Sequence, residues 1–544
     1  MHKKTSVNVL GMGLLFLIVF SLEMGLGVYF AHIRQFVYYD AISRVANAFY
    51  VLYSRDPHLG AIGFVWNPLP SILELIPLLL WPVLPEVASS GLASNFVTAV
   101  FSAGCAVLLY KYARHCTNSI MLSLFISLSY AFNPFVFIYG ANGMSEAMFS
   151  FFIIGMVISL TRWMQEGTPS HVITMGFMLA FGFWIRYESV ALGAALAVSL
   201  IILVMDYNYR NRIAANRTRL FGMKSLTRVE ATLLVALCPA VFSGLVWMQL
   251  NYSMMGDALF FFRSGYSNMA FSGNITNEFK ELISSKVGVV SLVLRKSAWF
   301  SLPFLCILFT RLLAGYWRRW DTLVLIVLVA SIPAMQAVML MKGSSFGWLR
   351  FFVYPFVIAA AWLPYELSLL RRARFVYTLG ALLLISMLMS SFVIRDMNNQ
   401  KLSPDEYETF HIEESGTLKD LRIAKEVSRY TDELISSSEL DKKPIILTDS
   451  YSAYSVLLNS TYPRQWIITN DRNFTQALDD PRSFKVDYIL VSKQKGSVLQ
   501  VIHEKYPDLF KQGTAWTELV KDFQGEWRLY RIKAEDGEQL TIKK

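Results

Sequence analysis

Long apolar runs constrain the fold of this chain more than any other feature. Hydrophobic residues occupy 54% of the 544 positions and charged residues only 17%, whereas a soluble domain carries roughly 25% charged residues. Several runs in the first 395 residues approach or exceed the roughly 20 apolar residues that a helix needs to cross a bilayer. We therefore predict a polytopic α-helical membrane protein.

The apolar runs predict eleven membrane spans. Lys and Arg gather in alternate connections, most densely in the loop at 210–228, and basic loops tend to stay in the cytoplasm. This bias predicts a cytoplasmic N-terminus, and an odd number of spans then places everything after residue 395 outside. The predicted spans are approximately 8–30, 92–112, 119–138, 145–163, 171–185, 189–205, 230–250, 296–314, 321–340, 351–367 and 375–394.

The chain changes character after residue 395. Apolar runs shrink to strand length, and helical patterns lie between them. Such alternation predicts a small α/β domain with a mostly parallel sheet in 396–544, outside a transmembrane domain in 1–395. The predicted strands are 444–449, 465–469, 486–492 and 527–532, and the predicted helices are about 417–438, 450–459 and 496–506.

The charge balance of the two parts excludes one class of partner. Residues 1–395 hold 29 Lys and Arg against 15 Asp and Glu, and residues 396–544 hold 21 against 25. The overall net charge of +10 therefore comes from the membrane part, where cytoplasmic loops explain it, and it does not indicate nucleic acid. The C-terminal domain has no phosphate-binding glycine motif and no nucleophile elbow, so we expect it to dock or to contact an acceptor.

The first outside loop, 31–90, contains the most informative stretch, 38–71. It mixes aromatic and charged residues, a composition typical of the membrane–water interface. From Asp40 to Arg55 the pattern predicts an interfacial helix with one apolar stripe. That stripe consists of Ala41, Val45, Ala48 and Leu52.

Asp40 is the leading candidate for chemistry. It begins the predicted helix just beyond the first span, where a carboxylate is hydrated enough to ionise and close enough to lipid to meet a lipid-borne substrate. Such a carboxylate can take a proton from a hydroxyl. The alternative is an ordinary helix N-cap, since Asp is favoured there.

Two further carboxylates, Glu146 and Glu188, lie at outside turns and would face the same edge. Ionisable groups at such depth are costly and usually face a cavity. Glu146 could instead be an acid favoured by the helix dipole in the first turn of its span. Glu188 could form a plain ion pair with Arg186.

Basic residues on the same edge are candidates for binding a phosphate. Arg offers a bidentate fork to phosphate oxygens, although single arginines also snorkel to ordinary lipid headgroups. The candidates for substrate binding are Arg44, Arg186, Lys342 and Arg350, together with Glu146 and Glu188.

A metal site is only weakly indicated. Asp56 and His58 form an Asp-x-His pair, and with Asp40 they could hold a divalent ion, but so few ligands at this spacing are a weak signal. The four cysteines lie outside 396–544, so the C-terminal domain carries no cysteine-based zinc site or disulfide framework. No cofactor is firmly predicted.

Several of these features together resemble a known family. They are Asp40 after the first span, a long first outside loop with Asn-Pro-Leu-Pro at 67–70, the sequence GANGMSE at 140–146, and a late outside turn with Arg350 before a span. The pattern resembles the GT-C superfamily of membrane glycosyltransferases, and within it the protein O-mannosyltransferase and aminoarabinose transferase type.

The resemblance implies a polyprenyl- or dolichyl-phosphate-linked sugar as donor and inversion at the sugar. By position, Asp40 matches the family's catalytic acidic residue, and Arg350 with a nearby cation would hold the departing phosphate. Two departures separate this chain from many relatives: Ala41 stands where a second acid often follows, and Trp66-Asn67-Pro68 replaces a His-Pro-Pro. The acceptor, whether glycan, lipid or protein, stays open.

Two other classes of function remain as alternatives. One is a transporter or flippase of a lipid-linked sugar; against it, the membrane part shows no obvious internal repeat, and Glu23 is the clearest mid-span charge. The other is a non-catalytic cell-envelope assembly protein, in which replacing Asp40 would have no effect. We expect a multi-pass protein of a bacterial plasma membrane.

Overall fold

The computed structural model describes residues 2–214, 223–267, 285–369, 373–438, 443–494 and 500–533. Helices dominate the part before residue 400. These are α1 (His2–Val28), α2 (Tyr39–Tyr53), α3 (Leu69–Leu78), α4 (Glu86–Ser89), α5 (Leu92–Thr117), α6 (Ile120–Ala131), α7 (Pro134–Ala141), α8 (Glu146–Glu166), α9 (Pro169–Ile185), α10 (Ser189–Ala214), α11 (Met223–Met255), α12 (Phe260–Arg263), α13 (Lys286–Ser297), α14 (Leu302–Leu313), α15 (Trp320–Met341), α16 (Tyr354–Leu369), α17 (Ala373–Met389) and α18 (Val393–Met397).

Each predicted span falls on a helix or a bent pair of helices. Within the described ranges, eight helices are long and apolar enough to cross a membrane, and two bent pairs reach the same criterion. Helices α6 and α7 meet at 66°, and α13 and α14 meet at 88°. The prediction of eleven spans exceeds this count by α9, an apolar helix of only 17 residues.

The break between α6 and α7 follows from the sequence. Pro134 has no N–H to continue the helix, and the Asn133 side chain accepts a hydrogen bond from the backbone N–H of Phe135 at 3.2 Å. The new helix therefore starts at Pro134 in a new direction, with Asn133 as its cap.

The helix predicted from Asp40 to Arg55 is present as α2, Tyr39–Tyr53. Ala41, Val45 and Ala48 are fully buried, as the apolar stripe predicts. Asp40 lies in the first turn, but Tyr38 occupies the N-cap position and makes no side-chain capping bond. The N-cap alternative for Asp40 is therefore wrong, and its carboxylate is directed elsewhere.

The C-terminal part combines helices with one sheet. Its helices are α19 (Pro404–Phe410), α20 (Gly416–Ser436), α21 (Ser450–Asn459), α22 (Phe474–Asp479), α23 (Val501–Lys505) and α24 (Leu509–Gln512). Its strands are β1 (Ile446–Thr448), β2 (Trp466–Ile468), β3 (Tyr488–Ser492), β4 (Thr517–Phe523) and β5 (Trp527–Ile532). The predicted α/β class is thereby confirmed for the described part of 396–544.

The sheet corrects one detail of the prediction. Its strand order is β2-β1-β3-β5-β4. Strand β1 pairs in parallel with β2 and β3, but β5 pairs antiparallel with both β3 and β4. The sheet is therefore mixed rather than mostly parallel, because β4 and β5 form a hairpin at one edge.

Helix α19 anchors the start of the C-terminal part to the membrane part. The Tyr139 hydroxyl donates to Glu406 Oε1 at 2.6 Å, and Glu406 is fully buried. Tyr38 and Thr409 share a second buried hydrogen bond. Further along, Tyr39 donates to Asp420 of α20 at 2.8 Å. These contacts fix α19 directly beside the start of α2.

Candidate active site

Arg350 joins two carboxylates from distant parts of the chain. Its Nη2 lies 2.8 Å from Asp40 Oδ2 and its Nη1 lies 2.8 Å from Asp405 Oδ2. The Arg350 side chain is 3% exposed, whereas those of Asp40 and Asp405 are 28% and 29% exposed. A buried cation therefore holds two carboxylates that both reach water.

A second ion-pair group adjoins the first. Arg186 donates from Nη1 to Glu146 Oε1 and from Nη2 to Glu188 Oε1 at 2.7 Å. Glu146 Oε1 also lies 3.5 Å from Arg350 Nε, so Glu146 links the two arginines. We call these six side chains the carboxylate cluster: Asp40, Glu146, Arg186, Glu188, Arg350 and Asp405.

The local sequence explains how Arg350 is held. Gly347 has φ of +60°, a conformation that glycine adopts without the steric cost of a side chain. The turn brings Trp348 under the guanidinium, whose Cζ lies 3.9 Å from the ring centroid, a cation–π geometry. This packing holds the guanidinium of Arg350 in one orientation.

The environment sets the proton affinity of two carboxylates outside the spans. Burial raises the pKa of Asp405 to about 7; Arg350 opposes this shift, while the charges of Glu406 and Asp40 reinforce it. Burial likewise disfavours ionised Glu188, but the charge and hydrogen bond of Arg186 outweigh burial and lower its pKa. Asp405 is therefore poised to exchange a proton near neutral pH.

Arg44 lies one helical turn after Asp40 and has a hydrogen-bond donor without a protein partner. Its Nη1 is buried without a hydrogen-bond partner, and its guanidinium lies 5.0 Å over the ring of Trp66. Burial lowers its pKa, and the charges of Asp40, Glu146 and Glu74 oppose that shift. Both carboxylate oxygens of Glu74 are also buried without partners. Arg44 is thus a donor site beside Asp40 that protein groups leave unsatisfied.

Three predicted residues lie apart from the cluster. Lys342 is exposed at the end of α15. Asp56 binds Arg472 of the C-terminal part, with Oδ1 3.0 Å from Nη2 and Oδ2 3.1 Å from Nε. The His58 ring nitrogen Nδ1 lies 2.7 Å from the backbone oxygen of Asp56.

The metal hypothesis gains no support from this geometry. Among the side chains that the structure describes, no group of three or more His, Cys, Asp or Glu residues is arranged to hold a metal ion. Asp56 instead joins the first outside loop to the C-terminal part through Arg472.

Sequence reasoning missed Asp405, the third carboxylate on Arg350. The segment PDEYETF at 404–410 is acidic and lacks an apolar run, so it was not predicted as a helix. A signal was nevertheless present, because a Ser-Pro pair followed by acids in the next two positions favours a helix start. Its contact with Arg350 depends on tertiary structure and leaves no local trace.

The chain is similar in fold to the oligosaccharyltransferase of Archaeoglobus fulgidus in its apo form, with 10% identity over 88% of this chain and 69% of that one, at a TM-score of 0.43. No curated protein matches the sequence. The family model for dolichyl-phosphate-mannose-protein mannosyltransferase matches residues 77–234, a segment that holds Glu146, Arg186 and Glu188. This match confirms the predicted resemblance to the GT-C superfamily of membrane glycosyltransferases.

Proposed function

We propose that this protein transfers a sugar from a polyprenyl-phosphate-linked donor to an acceptor on the extracytoplasmic side, with inversion at the sugar. The observation that carries the proposal is the pairing of Asp40 with Arg350. It places a partly exposed carboxylate on a buried, fixed cation at the start of the outside helix. The family match over 77–234 supports the same class of reaction.

The proposed reaction is a single displacement. Asp40 accepts the proton of the acceptor hydroxyl while that oxygen attacks the anomeric carbon. The bond from this carbon to the phosphate oxygen breaks, and the electron pair leaves with the lipid phosphate. Arg350 keeps the carboxylate of Asp40 in one orientation, and correct orientation of a reacting group is worth several orders of magnitude in rate.

Arg44 is the residue we assign to the departing phosphate. It stands four residues after Asp40 on α2, so both side chains lie on the same helix face. Its buried Nη1 lacks a protein partner, and a phosphate oxygen would satisfy it. A fixed positive charge there would stabilise the negative charge that develops on the leaving group.

The setting of the reaction follows from the predicted topology. With the N-terminus in the cytoplasm, an odd number of crossings puts α2, the carboxylate cluster and the C-terminal part on the extracytoplasmic side. The partners are then a lipid-linked sugar donor, membrane lipid, and an acceptor that is a glycan, a lipid or a protein.

The test is sugar transfer by the purified full-length protein in liposomes that contain a polyprenyl-phosphate-linked sugar. We expect wild-type turnover and a fall of about 10²- to 10⁴-fold in Asp40→Asn, the usual effect of losing a general base, with donor binding retained. The matched control is Asp257→Asn, which removes an aspartate 36% exposed in a loose pair with Arg263 and should retain activity.

Two other outcomes would contradict either the role of Asp40 or the reaction class. Turnover unaffected by Asp40→Asn would contradict the role of Asp40 while keeping the reaction class. Movement of a labelled lipid-linked sugar between leaflets, without transfer from any donor, would contradict the glycosyltransferase and favour the transporter.

A further inference from the structure

We infer that Asp405, supplied by the C-terminal part, is a positioning residue of the Asp40 site, and that it controls the basicity of Asp40 by sharing the guanidinium of Arg350. The inference rests on the proposed function, because it concerns the same acceptor-activating carboxylate. It gives the C-terminal part a role in the chemistry, where the sequence predicted only docking or acceptor contact.

Asp40 and Asp405 both pair with the single positive charge of Arg350. Asp40 and Asp405 each approach a different terminal nitrogen of Arg350, both at 2.8 Å. Both carboxylates are partly exposed, at 28% and 29%, whereas the guanidinium between them is buried. The positive charge that stabilises one carboxylate is therefore divided when the other is also ionised.

Asp405 is held in place independently of Arg350. Its neighbour Glu406 is fully buried and accepts a hydrogen bond from Tyr139 at 2.6 Å. Thr409, one turn further along α19, shares a buried hydrogen bond with Tyr38. These two anchors join α19 to α7 and to the residue before α2, so the position of Asp405 is fixed relative to Asp40.

Charged groups from several elements face Asp405. Arg350 is the cation in contact, and the carboxylates of Glu406, Asp40 and Glu408 act on it as like charges. Lys296 of α13 is buried, donates to the backbone oxygen of Gly347, and is influenced in turn by Glu406 and Asp405. Two cations and three acids therefore surround this carboxyl group.

The sign of the effect follows from these charges. The pKa of Asp405 is raised to about 7, so Asp405 becomes protonated as the pH falls below that value. Arg350 then compensates only Asp40 and Glu146, and Asp40 becomes a weaker base. Above that pH, ionised Asp405 takes part of the charge of Arg350 and repels the charge of Asp40, which makes Asp40 the stronger base. Turnover should therefore rise as the pH increases through about 7.

The experiment measures kcat/KM against pH for the full-length protein in liposomes with a polyprenyl-phosphate-linked sugar. In wild type we expect an acidic limb near pH 7. In Asp405→Asn this limb near pH 7 should disappear, because the asparagine side chain cannot ionise. The kcat/KM of this variant should stay near the lower, acid-side value of wild type across the whole profile.

Two variants separate this role from a structural one. Asp405→Glu retains the carboxylate and should keep the wild-type limb. Glu413→Gln removes another acid of the C-terminal part, 64% exposed and paired with Arg34 at 3.0 Å, and should leave the profile unchanged. A purely structural Asp405 would alter the yield of folded protein without moving the limb.

The outcomes distinguish failure of this inference from failure of the proposed function on which it rests. An unmoved limb in Asp405→Asn, or a wild-type profile that is flat through pH 7, overturns the inference while leaving the transferase intact. The wild-type profile alone decides the matter if Asp405→Asn fails to fold. Absence of wild-type turnover with every lipid-linked donor instead overturns the proposed function.

Discussion

Arg350 is the residue on which the geometry of the site depends. One buried guanidinium reaches Asp40, Asp405 and Glu146, at 2.8, 2.8 and 3.5 Å, and stacks on Trp348. The planar guanidinium of arginine can bind several carboxylates at once, whereas the ammonium group of lysine is a compact point charge without that fixed geometry. The identity of this side chain therefore matters beyond its charge.

We predict that Arg350→Lys lowers kcat about 10²-fold with little change in KM. The charge is retained, but the orientation of Asp40 is lost, and misplacement by about 1 Å can cost that much in rate. The measurement is steady-state sugar transfer in liposomes, and the matched control is Arg263→Lys at a side chain 64% exposed. Wild-type kcat in Arg350→Lys would contradict the positioning role.

Individual residues of the site differed in how far the sequence revealed them. Asp40 and Arg350 were identified because each lies beside a predicted span, where hydropathy fixes the position of a charge. Asp405 was missed because it lies 55 residues beyond Arg350 in a polar segment without periodicity. Ion pairs between distant segments depend on packing, which local patterns do not encode.

At the scale of single elements, a buried acid, Asp471, follows strand β2 by three residues. Asp471 is 5% exposed, its Oδ2 accepts a hydrogen bond from the backbone N–H of Ile468 at 3.0 Å, and its Oδ1 has no partner. Burial raises the pKa of Asp471 to about 6; the backbone hydrogen bond from Ile468 opposes this shift, the charge of Asp56 reinforces it, and Arg55 and His58 oppose it.

This raised pKa predicts a pH-dependent stability. The folded state binds the proton of Asp471 more tightly than the unfolded state, so its contribution is fully present below about pH 4 and declines as the pH rises to about 6. The loss approaches about 3 kcal/mol, from about 1.4 kcal/mol per pKa unit. Asp471→Asn, which keeps the acceptor for Ile468, should therefore be the more stable protein at pH 7.

The check is the thermal unfolding midpoint of the full-length protein in detergent at pH 4 and pH 7. Wild type and Asp471→Asn should agree at pH 4 and separate at pH 7, while Asp508→Asn, at an exposed aspartate, should follow wild type at both. An equal midpoint for wild type and Asp471→Asn at pH 7 would show that the buried carboxyl carries no such penalty.

Elements were predicted well where burial leaves a pattern. The strands β1, β2, β3 and β5 were found from their apolar runs, but β4 was missed. Its sequence TELVKDF is buried only at its two ends, and it lies at the edge of the sheet. An edge strand has fewer neighbours to bury its side chains, so it lacks the alternation that identifies a strand.

At the scale of the whole molecule, the carboxylate cluster fixes the course of α9. Arg186 directly after α9 pairs with Glu146 at the start of α8, so α9 runs back along α8 and crosses the membrane with it. Its 17 residues span about 25 Å at 1.5 Å per residue, close to the roughly 30 Å hydrocarbon core. Seven predicted crossings then separate the α8–α9 connection from the C-terminal part, so the two lie on opposite sides of the membrane.

Single cysteines beside the α8–α9 connection and in the C-terminal part test this topology. The native Cys105, Cys116, Cys238 and Cys306 are all free and are first replaced by Ala. Ser170→Cys then marks the first turn of α9, next to the α8–α9 connection, and Ser437→Cys marks the residue after α20, both at exposed positions. In intact cells, a membrane-impermeant maleimide should label Ser437→Cys, and Ser170→Cys should be labelled only after permeabilisation. Labelling of both in intact cells would contradict the crossing of α9, and labelling of Ser170→Cys alone would invert the topology and move the carboxylate cluster to the cytoplasmic side.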